Sequence, residues 1–225
     1  MKVIAVIGAR CTWLFNLADM NQKGLRLFPS LTEALIDKYD FDEQPEGALT
    51  DRTKSSEPGI KLKNGQFESP QGIVKVSLDI FEDGIVAESP KSTDVTEMFI
   101  KDVISWVTSW YGLVFDPTLV KGRIYFSEIV VQFNSHISES MKPLRTFAGS
   151  LSEISIGDTG PQPYHLSGIT FASAPGGIPV SIEQRANTPL EANVFYSKAA
   201  VDTATHLRLL GELDKILDGS RKPNR

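Results

Sequence analysis

The sequence is poor in the residues that staple small proteins or hold metals: its 225 residues contain one cysteine, Cys11, and three histidines. A lone cysteine excludes an intramolecular disulfide and leaves no cysteine pair for structural zinc, so a reducing, cytoplasmic address is expected. Beside Thr12 and Trp13, Cys11 reads as a small buried apolar residue rather than a nucleophile. Surplus positive charge is missing as well. Twenty-three Lys and Arg stand against 28 Asp and Glu, a net charge of −5, with a pI near 5.3. No global positive field draws in a phosphate backbone, and nucleic acid is not expected as a main partner. The one basic group, Arg221, Lys222 and Arg225, reads as a solvated tail.

Long apolar runs are also absent. Val3 to Ile7 follows Lys2, but Gly8 and Arg10 interrupt it well short of a signal-peptide core or a membrane span, and no membrane association is expected. The run reads as a buried strand ending at Gly8. Val6-Ile7-Gly8-Ala9-Arg10 has the opening of a phosphate loop, yet the further glycines such a loop requires are replaced by Cys11-Thr12-Trp13. No GxSxG elbow and no HExxH pair occur, and neither a cofactor nor a metal is called for. Asp37, Asp40, Asp42, Glu43 and Glu46 lack the EF-hand spacing and read as a solvated acidic run, while His136 and His165 stand isolated.

What is present is 41% hydrophobic residues in alternating and helical patterns. Ser30 and Glu33 have capping-box spacing ahead of a short helix reaching about Tyr39. Residues 40–59 are polar and punctuated by Pro and Gly, a loop or linker able to order on a partner. Ile60 to Lys63 runs into Asn64-Gly65, read as a tight hairpin turn. Val74, Val76, Leu78 and Ile80 then alternate with more polar residues, and Asp83-Gly84 turns the chain into Ile85-Val86-Ala87.

Ser92-Thr93-Asp94 offers helix caps. Val95, Phe99, Val103, Trp106 and Trp110 then recur at helical steps as far as Gly112, an aromatic stripe expected to lie on the sheet. Gly122 to Phe133 reads as a central strand. Lys142-Pro143 opens a helix with Leu144, Phe147, Leu151 and Ile154 along one side. Three strands follow, at His165 to Ser173, Ile178 to Arg185 and Asn193 to Ser197, before a helix from Asp202 to Asp218.

The order β-β-β-α thus occurs twice, at 60–111 and 165–218, and Val76-Ser77-Leu78-Asp79 resembles Val180-Ser181-Ile182-Glu183. The expectation is a single compact α+β domain spanning 1–225: antiparallel sheets covered by helices, as two β-β-β-α halves packed as one body.

One acid/base constellation can be assembled. Asp202 and His206 stand four apart on the last helix, and Tyr196 or Ser197 on the preceding strand end could present a hydroxyl to the imidazole. The bland reading makes Asp202 a cap and His206 a half-exposed helical residue whose replacement by Ala leaves stability unchanged. Function is therefore ranked with a non-catalytic interaction or assembly protein first, acting through a protein partner or self-association as a homo-oligomer. A hydrolase built on His206, Asp202, Tyr196 and Ser197 stands second, beside a small-molecule binder with a pocket between the halves.

Overall fold

The computed structural model describes residues 1–24, 30–41, 59–153, 163–172 and 179–219. Along the chain run β1 (Lys2–Leu14), α1 (Leu17–Met20), α2 (Ser30–Tyr39), β2 (Ile60–Ser69), β3 (Gly72–Phe81), β4 (Gly84–Ser89) and α3 (Thr93–Tyr111). There follow β5 (Gly122–Gln132), α4 (Ile137–Ser140), α5 (Lys142–Ser152), β6 (Gly168–Phe171), β7 (Val180–Gln184), β8 (Val194–Ala199) and α6 (Thr203–Leu217). The seven-element order β-α-α-β-β-β-α therefore occurs twice, and the class is α+β with antiparallel strands, as the patterning implies. No helix among the described residues is long and apolar enough to cross a membrane.

Two compact units divide the chain. The N-terminal unit is Val6–Ser127 with Val201–Thr203; the C-terminal unit is Met1–Ala5, Glu128–Ala200 and Ala204–Arg225. Strand order is β2-β3-β4-β1 in the first and β5-β8-β7-β6 in the second.

In the N-terminal unit the alternation of β3 is realised: Val74, Val76, Leu78 and Ile80 are buried, and Leu78 stands opposite Ala87 of β4. Against this face lies α3, capped by the Ser92 hydroxyl accepting from the Val95 amide and ended by Gly112 at φ 65°. Rings close the core: Phe99 meets Tyr39 edge-on at 5.0 Å and Phe67 at 5.3 Å. Thr93 and Thr203 each donate a backbone N–H to the other's hydroxyl, at 3.0 and 2.9 Å, satisfying first-turn amides that a helix cannot bond itself.

Three readings of this unit change. Strand β1 does not end at Gly8; it continues to Leu14, pairing Ala9 to Leu14 with β4, so no loop opens where a phosphate would sit. Asn64-Gly65 is a bulge inside β2 rather than a turn, because the register shifts between Leu62 and Gly65 and the strand continues to Ser69. The positive φ of Asn64, 57°, serves a bulge as well as a turn. Gly65 leaves room for a ring, since a Cβ there would stand 2.4 Å from Phe41.

The aromatic stripe is only partly core. The buried seam runs from Val95 and Phe99 round to Ile104 and Val107, which leaves Trp106 half-buried on its flank and Trp110, beyond the last buried position, 75% exposed. Finally, 42–58 lie outside the described residues, and with them most of the 40–59 loop and Asp42, Glu43 and Glu46 of the acidic run. Asp40 bonds the Gln66 amide at 2.7 Å.

The C-terminal unit has a smaller described core: Ile129, Val131, Phe133, Ile137, Ile182, Phe195 and Leu210. Helix α5 departs from expectation. Of its residues only Ala148 is buried, while Leu144 and Phe147 face outward; Ile154, like Arg221, Lys222 and Arg225, lies outside the described residues.

Candidate functional site

Strand β8 sets the positions of two candidate hydroxyls. Because alternate residues of a strand point to opposite faces, consecutive Tyr196 and Ser197 cannot serve one imidazole. Ser197, opposite Ile182, turns to the core, and Tyr196, opposite Glu183, turns away from it. The Tyr196 hydroxyl meets Glu128, and burial, together with that carboxylate, raises its pKa.

Ser197 and His206 do come together. Ser197 Oγ lies 2.9 Å from His206 Nε2, with both residues fully buried. The protons then settle the roles. The single hydroxyl proton of Ser197 is donated to the Ser181 carbonyl at 2.8 Å, so the contact with Nε2 is one in which the ring N–H donates and Ser197 accepts. An imidazole that donates to the hydroxyl does not withdraw its proton. Burial lowers the His206 pKa to about 4, which keeps the ring neutral near pH 7. The half-exposed helical His206 of the sequence reading is thus corrected: α6 turns it inward, beside Leu210 and Thr203 in the buried set. Asp202 is half-buried just before α6, in the 201–203 segment that belongs to the N-terminal unit.

The remaining histidines are exposed. His136 precedes α4, and His165 bonds Gln184 at 3.0 Å. No group of three or more His, Cys, Asp or Glu able to hold a metal occurs among the described residues.

Other ionisable clusters were not legible in the sequence, because their members are distant along it. Asp214 of α6 accepts from the Met1 nitrogen at 2.5 Å, the Asn134 amide at 2.9 Å and the Asn134 side chain at 3.1 Å. Burial works to raise its pKa, but these donors outweigh it and the net shift is downward. In the N-terminal unit, Lys38 donates to Tyr39 at 2.8 Å and to Asp102 at 2.7 Å, and Tyr39 donates to Asp102 at 2.7 Å, fastening α2 to α3.

The third cluster surrounds Trp13. Glu97 accepts from Lys101 at 3.0 Å, Arg123 at 3.3 Å and Tyr125 at 3.1 Å. Arg123 lies 4.5 Å over the indole, which stacks on Phe115 at 6.2 Å. Cys11 is buried near this group; burial first, then the Glu97 charge, pushes its thiol up to about 12, so it remains protonated and unreactive. Beside Trp13 opens a cleft of about 420 Å³.

On the surface, α5 carries the clearest apolar feature without a partner among the described residues. Leu144 is 47% and Phe147 62% exposed, with Leu151 half-buried beside them, whereas the buried side of the helix offers only Ala148. Lys142 and Arg145 are exposed on the same helix, which contains no acidic residue.

The sequence matches no protein family and no curated protein. Among solved structures, the fold is similar to a chain titled Methanococcus jannaschii TBP, with a TM-score of 0.45 and 12% identity over 96% of this chain and 98% of that one. The expectation that nucleic acid is not a partner, drawn from the net charge alone, is withdrawn: an average over the whole surface does not describe any one face of it.

Proposed function

We propose that the chain is a non-catalytic interaction protein and that α5 is the surface that holds a protein partner. The supporting observation is the outward apolar pair Leu144 and Phe147 on a helix whose buried side is a single alanine. Burying each of those side chains against a partner would contribute about 1.5–3 kcal/mol. Lys142 and Arg145 favour an apolar surface bordered by carboxylates.

The rival hydrolase reading has in its favour the 2.9 Å approach of Ser197 to His206. Against it stand the bond from Ser197 to the Ser181 carbonyl and the complete burial of both residues.

The test compares the wild-type chain with a Leu144→Glu, Phe147→Glu double variant, after circular dichroism has established that both are folded. Native mass and cross-linking in cells should give a stoichiometric partner, either a second copy or another protein, with wild type, and about tenfold less with the variant. Equal retention by the two chains removes α5 from the reading. A wild-type chain that is strictly monomeric and cross-links to nothing removes the reading itself.

A further inference from the structure

We propose that the cleft beside Trp13, within the N-terminal unit, binds a small organic acid: an apolar body carrying one carboxylate. The volume, about 420 Å³, is at the small end of the range of ligand pockets. Its walls are apolar at Trp13 of β1, Ile104 of α3, and Leu113 to Phe115 after α3, with Lys101, Ser105 and Thr108 of α3 as polar members. That mixture suits a ligand that gives up water along most of its length and keeps a polar group at one end.

The charges beside the cleft choose the sign. Glu97 is the carboxylate bound to both cations there, Lys101 and Arg123, which share its Oε1 atom, while Tyr125 takes the other oxygen. Lys101, the charged member of the lining and 57% exposed, retains donors beyond its bond to Glu97. A single ammonium matches a monoanion. Inorganic phosphate would find too few donors here and no use for the apolar walls.

The Trp13 ring, 3% exposed and fixed between Arg123 and Phe115, forms a rigid edge of this wall. This site lies in a different unit from α5 and stands or falls independently of it.

The chain has three tryptophans, so a Trp106→Phe, Trp110→Phe variant makes Trp13 the sole indole emitter. Titration with 3-phenylpropionate should change its emission saturably. Lys101→Met, which keeps the apolar stem, should weaken that binding by about tenfold while leaving the weaker binding of neutral 3-phenylpropanol unchanged. Amide chemical shifts of the ¹⁵N-labelled wild-type chain provide a second readout if the tryptophan variant does not fold, and should move for residues 101–115. No saturation up to about 10 mM acid, an affinity indifferent to Lys101→Met, inorganic phosphate binding as tightly as the acid, or shifts confined elsewhere would each overturn the proposal.

Discussion

Helices α3 and α6 hold the same place in the two repeats, and an offset of 110 residues carries one onto the other, Thr93 onto Thr203. It also places Thr96 on His206, Phe99 on Leu209, Ile100 on Leu210 and Ile104 on Asp214, and in the preceding strand Ala87 on Ser197. The positions of Thr93, Thr96, Ile100 and Ile104 are buried in both helices, but their side chains differ. In α3 they are threonines and isoleucines. In α6 the equivalents include His206 and Asp214, each held by hydrogen bonds, while Leu209 has turned 38% outward where Phe99 is fully buried. One framework thus accepts Ile104 at a buried position in one unit and Asp214 at its equivalent in the other, where hydrogen bonds hold the carboxylate.

Four measurements test this contrast. The largest effect is expected at Phe99. Phe99→Ala should cost about 3–5 kcal/mol, because it empties the space between Tyr39 and Phe67, whereas Leu209→Ala at the equivalent position should cost under about 1 kcal/mol. Urea midpoints decide it, and equal losses would show that the two seams are packed alike.

Next comes His206. His206→Ala should cost about 2–3 kcal/mol, not the near-zero effect the sequence suggests, since it leaves a cavity and deprives Ser197 of a donor. The same residue sets a pH dependence. With a folded pKa near 4 against an ordinary 6.5, the unfolded chain binds a proton that the folded chain refuses between those values. Stability is therefore full above about pH 6.5 and falls as pH drops towards 4, approaching about 1.4 kcal/mol per pH unit within that window. His206→Gln should flatten this slope, and an unchanged slope would mean that the ring is not held neutral.

Smaller effects separate the tryptophans. Trp106→Ala should cost about 1–2 kcal/mol, since its half-buried ring meets Tyr111 at 5.5 Å and Lys38 at 5.4 Å. Trp110→Ala should stay within about 0.5 kcal/mol. A larger loss at Trp110 would place it in a packed environment and break the account of where the α3 seam ends.

Most of the elements can be read from local chemistry. Alternation locates β3, the Ser92 cap and Gly112 bracket α3, and the paired patterns of 76–79 and 180–183 announce the second β-β-β-α, because these signals depend on neighbours within one or two turns. Local signals misplace features whose meaning depends on the next layer. Asn64-Gly65 has turn chemistry, but the need to pass the Phe41 ring and the continued pairing with β3 make it a bulge. Leu144 and Phe147 have core spacing, but α5 meets its unit through Ala148. Of the four candidate site residues, spacing joins Asp202 to His206, whereas the strand brings Ser197 to His206 and sends Tyr196 to Glu128.

By itself, then, the sequence determined the kind of protein this is: amphipathic strands and helices in a repeated order, with a single cysteine and so no disulfide within the chain. Those are properties of periodicity and composition, set by which side chains water rejects. Tertiary structure alone decided which polar groups were buried and what each proton was bonded to, because hydrogen bonds and charge pairs join residues as far apart as Met1 and Asp214, and no spacing rule reaches that far.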